Sequence, residues 1–447
     1  MSDRLRVLAS AYACEPDLGS EAGIGWNWAR QIARRHDCWL ITRANNVAAI
    51  EARAAAEGLD SLRVVGFDLP SWMRCWKRKS RGAVAYFYLW QRALASVARR
   101  LEREVGFDVL HHLTFASSWI PSGLAELERP FVWGPVGQHP RIPDRFLPRA
   151  AVRARAAEWA KTAVRGGLSA GDPAVRRTLE RADRILSLSR VFGDRVARRH
   201  RCKLEPMLAA GVEPRPLPPD RFERDEALRV LYAGRLVDLK GVRLALEAFA
   251  LLARRSPAAT FELCGSGPLA ASLAARARAL GLERRVRLLG HLAHDQTLAR
   301  MEEADVFLFP SFEGAGMVVP EAMAAGCPVV CLDFGGPGEM TGTERGLRVP
   351  LEDTPAATAR GLGEALVRLD EDEGERRALA HGARAWALAV AAWDAKGERL
   401  AGIYARAIEH HDGRRGERRE GHRHDGRDGQ RDGQEHETAS GRAREVA

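Results

Sequence analysis

The sequence predicts an α/β protein of two Rossmann-like domains, each built on a parallel sheet, with the two sheets facing a central cleft. Three observations carry this. Strand-length apolar runs alternate with helix-length segments along most of the chain, the pattern of an α/β sheet. The runs fall into two series separated by a proline-rich break. At 447 residues the chain exceeds what one core ordinarily organises, about 100–200 residues per domain, so two series mean two domains.

In the first series LRVLAS from Leu5, CWLITR from Cys38, LRVVGF from Leu62, DVLHHL from Asp108, PFVWG from Pro130 and RILSLS from Arg184 read as buried strands. The second comprises RVLYAG from Arg229, TFELCG from Thr260, RVRLLG from Arg285, DVFLFP from Asp305 and PVVCLD from Pro328. Between them lies EPMLAAGVEPRPLPPDRF, Glu205 to Phe222, whose prolines at 206, 214, 216, 218 and 219 exclude a helix or a central strand, so the hinge is placed there. The expected layout is a first domain over 1–212, a second over 213–390, a helix over 391–411 returning to the first, and a tail over 412–447. From His410 onward Gly, Arg and Asp dominate, and few apolar side chains repay the entropy of ordering. The tail is therefore expected to be disordered and its histidines solvated rather than metal-bound.

Hydrophobic residues at 46% and charged residues at 29% are globular proportions, and no apolar run approaches the roughly 20 residues that cross a bilayer. Asp3, Arg4 and Arg6 flank only a strand-length apolar run, which is not a secretory signal, so a cytoplasmic location is expected. Cysteines at 14, 38, 75, 202, 264, 327 and 331 lack the spacing of a zinc site or a disulfide framework and read as reduced thiols, mostly small core residues.

The net charge of +10 is local in origin. The tail's charges cancel, whereas Arg74, Lys77, Arg78, Lys79, Arg81, Arg92, Arg99 and Arg100 accumulate between Pro70 and Arg100 without one acidic residue. Trp72, Trp76, Tyr86, Phe87 and Trp90 are interspersed among them, which suits an anionic membrane surface at the inner face of the plasma membrane. A solvated basic helix is the competing reading. Nucleic acid is not an expected partner, because no base-reading motif accompanies the patch.

The chemistry concentrates between Asp305 and Met340, DVFLFPSFEGAGMVVPEAMAAGCPVVCLDFGGPGEM. A strand ends at Pro310, a Gly-rich turn follows, and Val319 to Ala325 opens a helix whose free N–H groups would attract an anion. Glu313 and Glu321 can accept hydrogen bonds from sugar or ribose hydroxyls at either end of such an anion. Upstream, YAGRLVDLKGV sets Arg235 and Lys240 just after a strand, where a bidentate fork and a point charge can neutralise a diphosphate. Gly265 and Gly267, in LCGSGPL, mark another strand-end turn that lets backbone approach a ligand. Asp370-Glu371-Asp372 lies in an acidic run of a polar helix and reads as a solvated face, so no metal is expected.

Over Leu228 to Tyr404 these motifs, in this order, resemble glycosyltransferase family 4, retaining enzymes of the GT-B fold. The resemblance implies that Arg235 and Lys240 of GRLVDLKG hold the donor diphosphate. It implies that Glu313 of EGAGMVVPE lies by the transferred sugar as a catalytic residue, while Glu321 bonds the nucleotide ribose. Gly314, Ala315, Gly316, Met317 and Val318 would lie near the phosphates, and GGPGE at Gly335 to Glu339 fits the same pattern. In the first half, ACEPDLGSEAGIGW resembles the family's glycine-rich loop, placing Gly19 and Ser20 by the donor phosphates. In DVLHHLTF one of His111 and His112 faces the cleft, since neighbouring strand residues point to opposite sheet faces. His111 is preferred as the catalytic one.

The reaction so implied is retaining transfer of a sugar from a nucleotide-sugar donor to a saccharide or lipid-linked acceptor, in cell-surface or extracellular polysaccharide synthesis. It would proceed by front-face attack, without cofactor or metal. An epimerase-like enzyme acting on the nucleotide-sugar itself, and a non-catalytic basic binding module, are the alternatives.

Overall fold

A computed structural model describes residues 4–73, 82–137, 140–147, 152–196, 198–217 and 227–439. The first domain runs β1 (Arg6–Ser10), α1 (Ser20–Arg35), β2 (Asp37–Thr42), α2 (Val47–Ala56), β3 (Leu62–Gly66), α3 (Ala83–Val105), β4 (Val109–His112) and β5 (Phe131–Val136). It continues through α4 (Val152–Gly171), α5 (Pro173–Arg181), β6 (Arg184–Ser187), α6 (Arg190–Arg195) and β7 (Leu204–Pro206). The second runs β8 (Arg229–Ala233), α7 (Val242–Arg255), β9 (Thr260–Cys264), α8 (Ala270–Ala279), β10 (Val286–Gly290), α9 (His294–Glu303) and β11 (Val306–Phe309). There follow α10 (Val319–Ala324), β12 (Val329–Leu332), α11 (Gly335–Met340), β13 (Gly346–Val349), α12 (Pro355–Glu371), α13 (Glu373–Trp386) and α14 (Trp393–Ala439).

Both sheets are parallel. Their orders are β3-β2-β1-β4-β5-β6-β7 and β10-β9-β8-β11-β12-β13. The order reverses between β1 and β4 in one sheet and between β8 and β11 in the other. Such reversals open a crevice at the carboxyl ends of the strands, where ligands bind in open α/β sheets. The central strands are apolar throughout because helices cover both faces: Val7 to Ser10, Val109 to His112 and Val306 to Phe309 are all buried. This two-domain arrangement is GT-B.

The chain crosses between the domains twice, and the crossings are tied together. Val212 and Ala392 form an isolated bridge, with Val212 N–H donating to Ala391 O at 2.9 Å and Trp393 N–H to Val212 O at 3.1 Å. Beside them the fully buried Lys396 Nζ donates to the carbonyls of Leu208 (2.8 Å), Ala209 (3.2 Å) and Ala210 (2.6 Å). It lies 4.6 Å from the Trp28 ring and 4.4 Å from that of Trp393. Burial pushes the ammonium well below its ordinary pKa, while three carbonyls and two indole faces favour its charged form. Beyond the crossing, α14 lays Leu400, Ile403, Tyr404 and Ala407 into the first domain's core.

The structure departs from expectation in two places. Leu204–Pro206, overlapping the start of the expected hinge, is the edge strand β7, a position where Pro206 need not donate to a neighbour. The polar run from His410 begins as a structural anchor: His410 Nδ1 and Arg414 Nη2 bond the fully buried Asp183 at 2.8 and 2.5 Å, and His411 Nδ1 lies 3.4 Å from it. The basic segment is described only in part, since Arg74, Lys77, Arg78, Lys79 and Arg81 lie outside the described residues. Trp72 and Val84 beside it are exposed, at 72% and 54%. No helix among the described residues is long and apolar enough to cross a membrane.

Candidate functional site

At the β8/β11 crevice, Gly234, Arg235 and Leu236 leave β8, and a single 3₁₀ turn, Asp238–Lys240, carries Lys240 back over the end of β11. The turn closes on Gly241, whose φ of 64° and approach to Pro310 O leave no room for a Cβ. Lys240 Nζ thereby meets Glu313 Oε2 in an ion pair and lies 5.1 Å from the Phe309 ring. Glu313 is itself buried, held by its amide to Ser311 Oγ at 3.3 Å and by Gly336 N–H donating to its carbonyl at 3.1 Å. Tyr232 packs behind this corner, its hydroxyl donating to Arg235 O at 3.2 Å. Burial, reinforced by the Glu313 charge, pushes the Tyr232 phenol far up. A cation and a carboxylate thus share this corner, and a diphosphate arriving there would compete with Glu313 for Lys240.

Eight residues on, Glu321 enters with the first turn of α10. That helix has only six residues, so its dipole is weak, and an anion here would rely on the amides of Ala315 to Val318 and on Arg235 and Lys240. Burial raises the Glu321 carboxyl above its ordinary pKa, and His294, whose Nε2 lies 3.8 Å from Oε1, opposes the shift. A cleft of about 700 Å3 between the domains brings Glu321, Met317 and His294 opposite Gly19 and Ser20 of the first domain. Gly19 faces open space, with no atom within 4 Å of where a Cβ would stand, whereas Ser20 adopts φ 63°. The Arg235–Lys240–Glu313 corner does not line this cleft. First-domain loops lean on the second nearby: Phe146 packs on Phe312 with centroids 5.1 Å apart, and Arg190 N–H donates to Glu339 Oε2 at 2.8 Å.

The structure bears on both histidines and on two of the glycines. His111 does not face the cleft: it is fully buried, with Nε2 donating to Gly134 O at 2.9 Å and Nδ1 accepting from the Tyr404 hydroxyl at 2.8 Å. Burial lowers its pKa to about 3, so it is a neutral core residue. His112 also donates, from Nε2 to Thr114 O at 2.9 Å, but its buried Nδ1 has no partner. His112 is as fully buried as His111, its pKa lowered to about 4 by burial, and neither histidine lines the cleft. Gly265 and Gly267 are required by packing, since a Cβ at either would strike the backbone of Gly234 or Leu236 within 2.5 Å.

The sequence reading missed His294 and gave Glu21 and Glu339 no role of their own. His294 begins α9 in GHLAHDQ with no motif around it, whereas Glu21 and Glu339 stand inside the noted GSE and GGPGE and could have been taken from them.

Residues 227–368 match the family model described as glycosyl transferases group 1. The alpha-D-kanosaminyltransferase of Streptomyces kanamyceticus is 32% identical over 188 residues, 41% of this chain and 47% of that protein. The D-inositol 3-phosphate glycosyltransferase of Salinispora tropica is 36% identical over 194 residues, 41% of this chain and 39% of that one. The chain therefore spans less than half the length of these curated relatives. Among solved structures, a sucrose-phosphate synthase from Thermosynechococcus elongatus superposes with TM-score 0.60 at 18% identity, covering 91% of this chain and 100% of that one. An Anabaena protein solved with UDP and glucose gives 0.56 at 16%, covering 90% and 100%. These likenesses show the fold.

Proposed function

We propose that this chain is a retaining glycosyltransferase that moves a sugar from a nucleotide-sugar to a saccharide or lipid-linked acceptor at the inner face of the membrane, for cell-surface polysaccharide. The observation that carries the reading is the pairing of Lys240 with Glu313 at the β8/β11 reversal, where an open α/β sheet binds its ligand. The donor diphosphate would take up Arg235, the loop amides of Ala315 to Val318 and one of the three N–H donors of Lys240. Glu321 would accept from the ribose hydroxyls. As the sugar–phosphate bond lengthens, charge grows on the diphosphate, and fixed cations already in place stabilise it without reorganisation. Glu313, beside Lys240, would face the positive charge that develops on the sugar. Arg235 and Lys240 supply the positive charge, so transfer in this scheme needs no metal.

The matches to glycosyltransferases over residues 227–368 support the class of reaction. The Anabaena neighbour solved with UDP makes UDP-sugars the first donors to try. Exposed Trp72 and Val84 beside a cation-rich segment support docking on anionic lipid. The test is a thermal-shift panel of nucleotide-sugars followed by assay of nucleoside diphosphate release. A ligand at about 100 times its Kd adds roughly 2.7 kcal/mol of stability, and the reading fails if no nucleotide-sugar shifts the transition.

A further inference from the structure

Among the described residues, three that are not glycine have left-handed φ: Asp17 at 60°, Ser20 at 63° and Phe115 at 54°. This conformation is disfavoured for L-residues, most of all for a bulky one, and it persists where the surroundings impose it. All three lie in the loops that leave β1 and β4, the two strands between which the first sheet's order reverses. Backbone strain thus gathers at the place where the topology itself provides a ligand crevice.

Phe115 is fixed there from several sides. Its amide donates to Glu21 Oε2 at 3.3 Å, and its carbonyl accepts from Ser117 Oγ at 3.1 Å. Its ring lies against Tyr12 and Phe87, with centroids 5.8 and 5.6 Å away. Yet the residue remains 41% exposed. The fold holds this ring firmly without burying it. Glu21 stands in the first turn of α1, next to the cleft residue Ser20. Burial raises its carboxyl above the ordinary value, partly offset by the Phe115 amide, and no cation pairs with it among the described residues. A partly exposed aromatic ring on the residue whose amide a half-buried carboxyl holds is the chemistry that recognises a pyranose: the C–H face of the sugar covers the ring, and a hydroxyl donates to the carboxyl.

We propose that Phe115 and Glu21 form the subsite for the acceptor pyranose, the ring carrying the sugar's apolar face and Glu21 Oε1 accepting one of its hydroxyls. The proposal rests on the glycosyltransferase reading and adds to it the residues that select and orient the acceptor.

The test is saturation-transfer NMR on the full chain with the methyl glycosides of glucose, galactose, mannose and N-acetylglucosamine, with UDP, GDP, ADP and dTDP titrated separately by calorimetry. At least one methyl glycoside should bind through one ring face. Phe115→Ala should weaken it about tenfold, Phe115→Trp should restore it, and Glu21→Gln should weaken it similarly. Nucleoside diphosphate affinity should be unchanged in all three. Glu21→Gln keeps the test informative if Phe115→Ala fails to fold. The proposal is overturned if no methyl glycoside binds, or if Phe115→Ala and Glu21→Gln bind it as the unaltered chain does. Failure of every nucleoside diphosphate to bind the unaltered chain would count against the donor reading instead, and the glycoside result stands apart from it.

Discussion

Lys240→Ala removes the cation from a carboxylate that has little access to water. The Lys240 and Glu313 side chains are 16% and 11% exposed, so deleting one leaves the other charged and poorly solvated. Removing one partner of a buried pair costs about 3–5 kcal/mol, and the residual exposure here favours the lower end. At about 2–4 °C per kcal/mol for a domain of this size, the second domain's transition should fall by roughly 6–12 °C in calorimetry. Lys240→Met combined with Glu313→Gln should recover most of that loss, because no uncompensated charge remains, and the double-mutant cycle isolates the coupling. Nucleoside diphosphate affinity should fall about 10- to 100-fold in both variants, the range expected for one charge-assisted contact. The reasoning is refuted if Lys240→Ala melts within about 2 °C of the unaltered chain and binds nucleoside diphosphates equally well.

Glu321→Ala should chiefly raise the KM for donor, whereas Glu313→Ala should chiefly lower kcat; steady-state kinetics giving the opposite pattern would exchange their roles. Asp183 should make stability acid-sensitive: burial, which raises its pKa, is outweighed by the hydrogen bonds from His411 and His410, so the carboxyl titrates below its usual range. Its contribution is complete above the unfolded-state value of about 4 and is lost as pH falls through the lower folded value, so Asp183→Asn should flatten the acid limb of a denaturation series. Activity should survive dialysis against EDTA, and a loss restored by a divalent cation would require a metal in the donor site. Replacing Lys77, Arg78, Lys79 and Arg81 with Gln should abolish salt-sensitive sedimentation with phosphatidylglycerol vesicles; unchanged sedimentation would remove the segment from membrane docking.

Most strands were legible because parallel strands covered on both faces spell continuous apolar runs, as in DVFLFP and PVVCLD. Those that were missed lack that signal for a reason. β7, Leu204–Pro206, ends in a proline that only an edge tolerates, and β13, GLRV, keeps two of its four positions buried because it too is an edge. The anchoring of α14 was hidden by distance and composition. Asp183 lies 227 residues before His410, and a run of His, Asp, Gly and Arg has no apolar period to announce that it packs on anything.

Within the site, what is local in sequence was readable and what depends on a third element was not. Glu313 and Glu321 are set by one turn and one helix start, so their positions in the fold follow from local sequence, although only Glu321 lines the interdomain cleft. His111 and His112 point to opposite faces, as alternation requires, but every residue of β4 is buried, so alternation could not say which face belongs to the core. Tyr404, arriving from α14, and the Gly134 carbonyl decide it by occupying both nitrogens of His111. The glycines make the same point. Gly19 stands just before α1 and Gly265 just after β9, and the space a Cβ would take is open at Gly19 and filled by Gly234 O at Gly265. A glycine in sequence marks that something comes close. Only the folded chain tells whether that neighbour is another loop or a space left for a ligand.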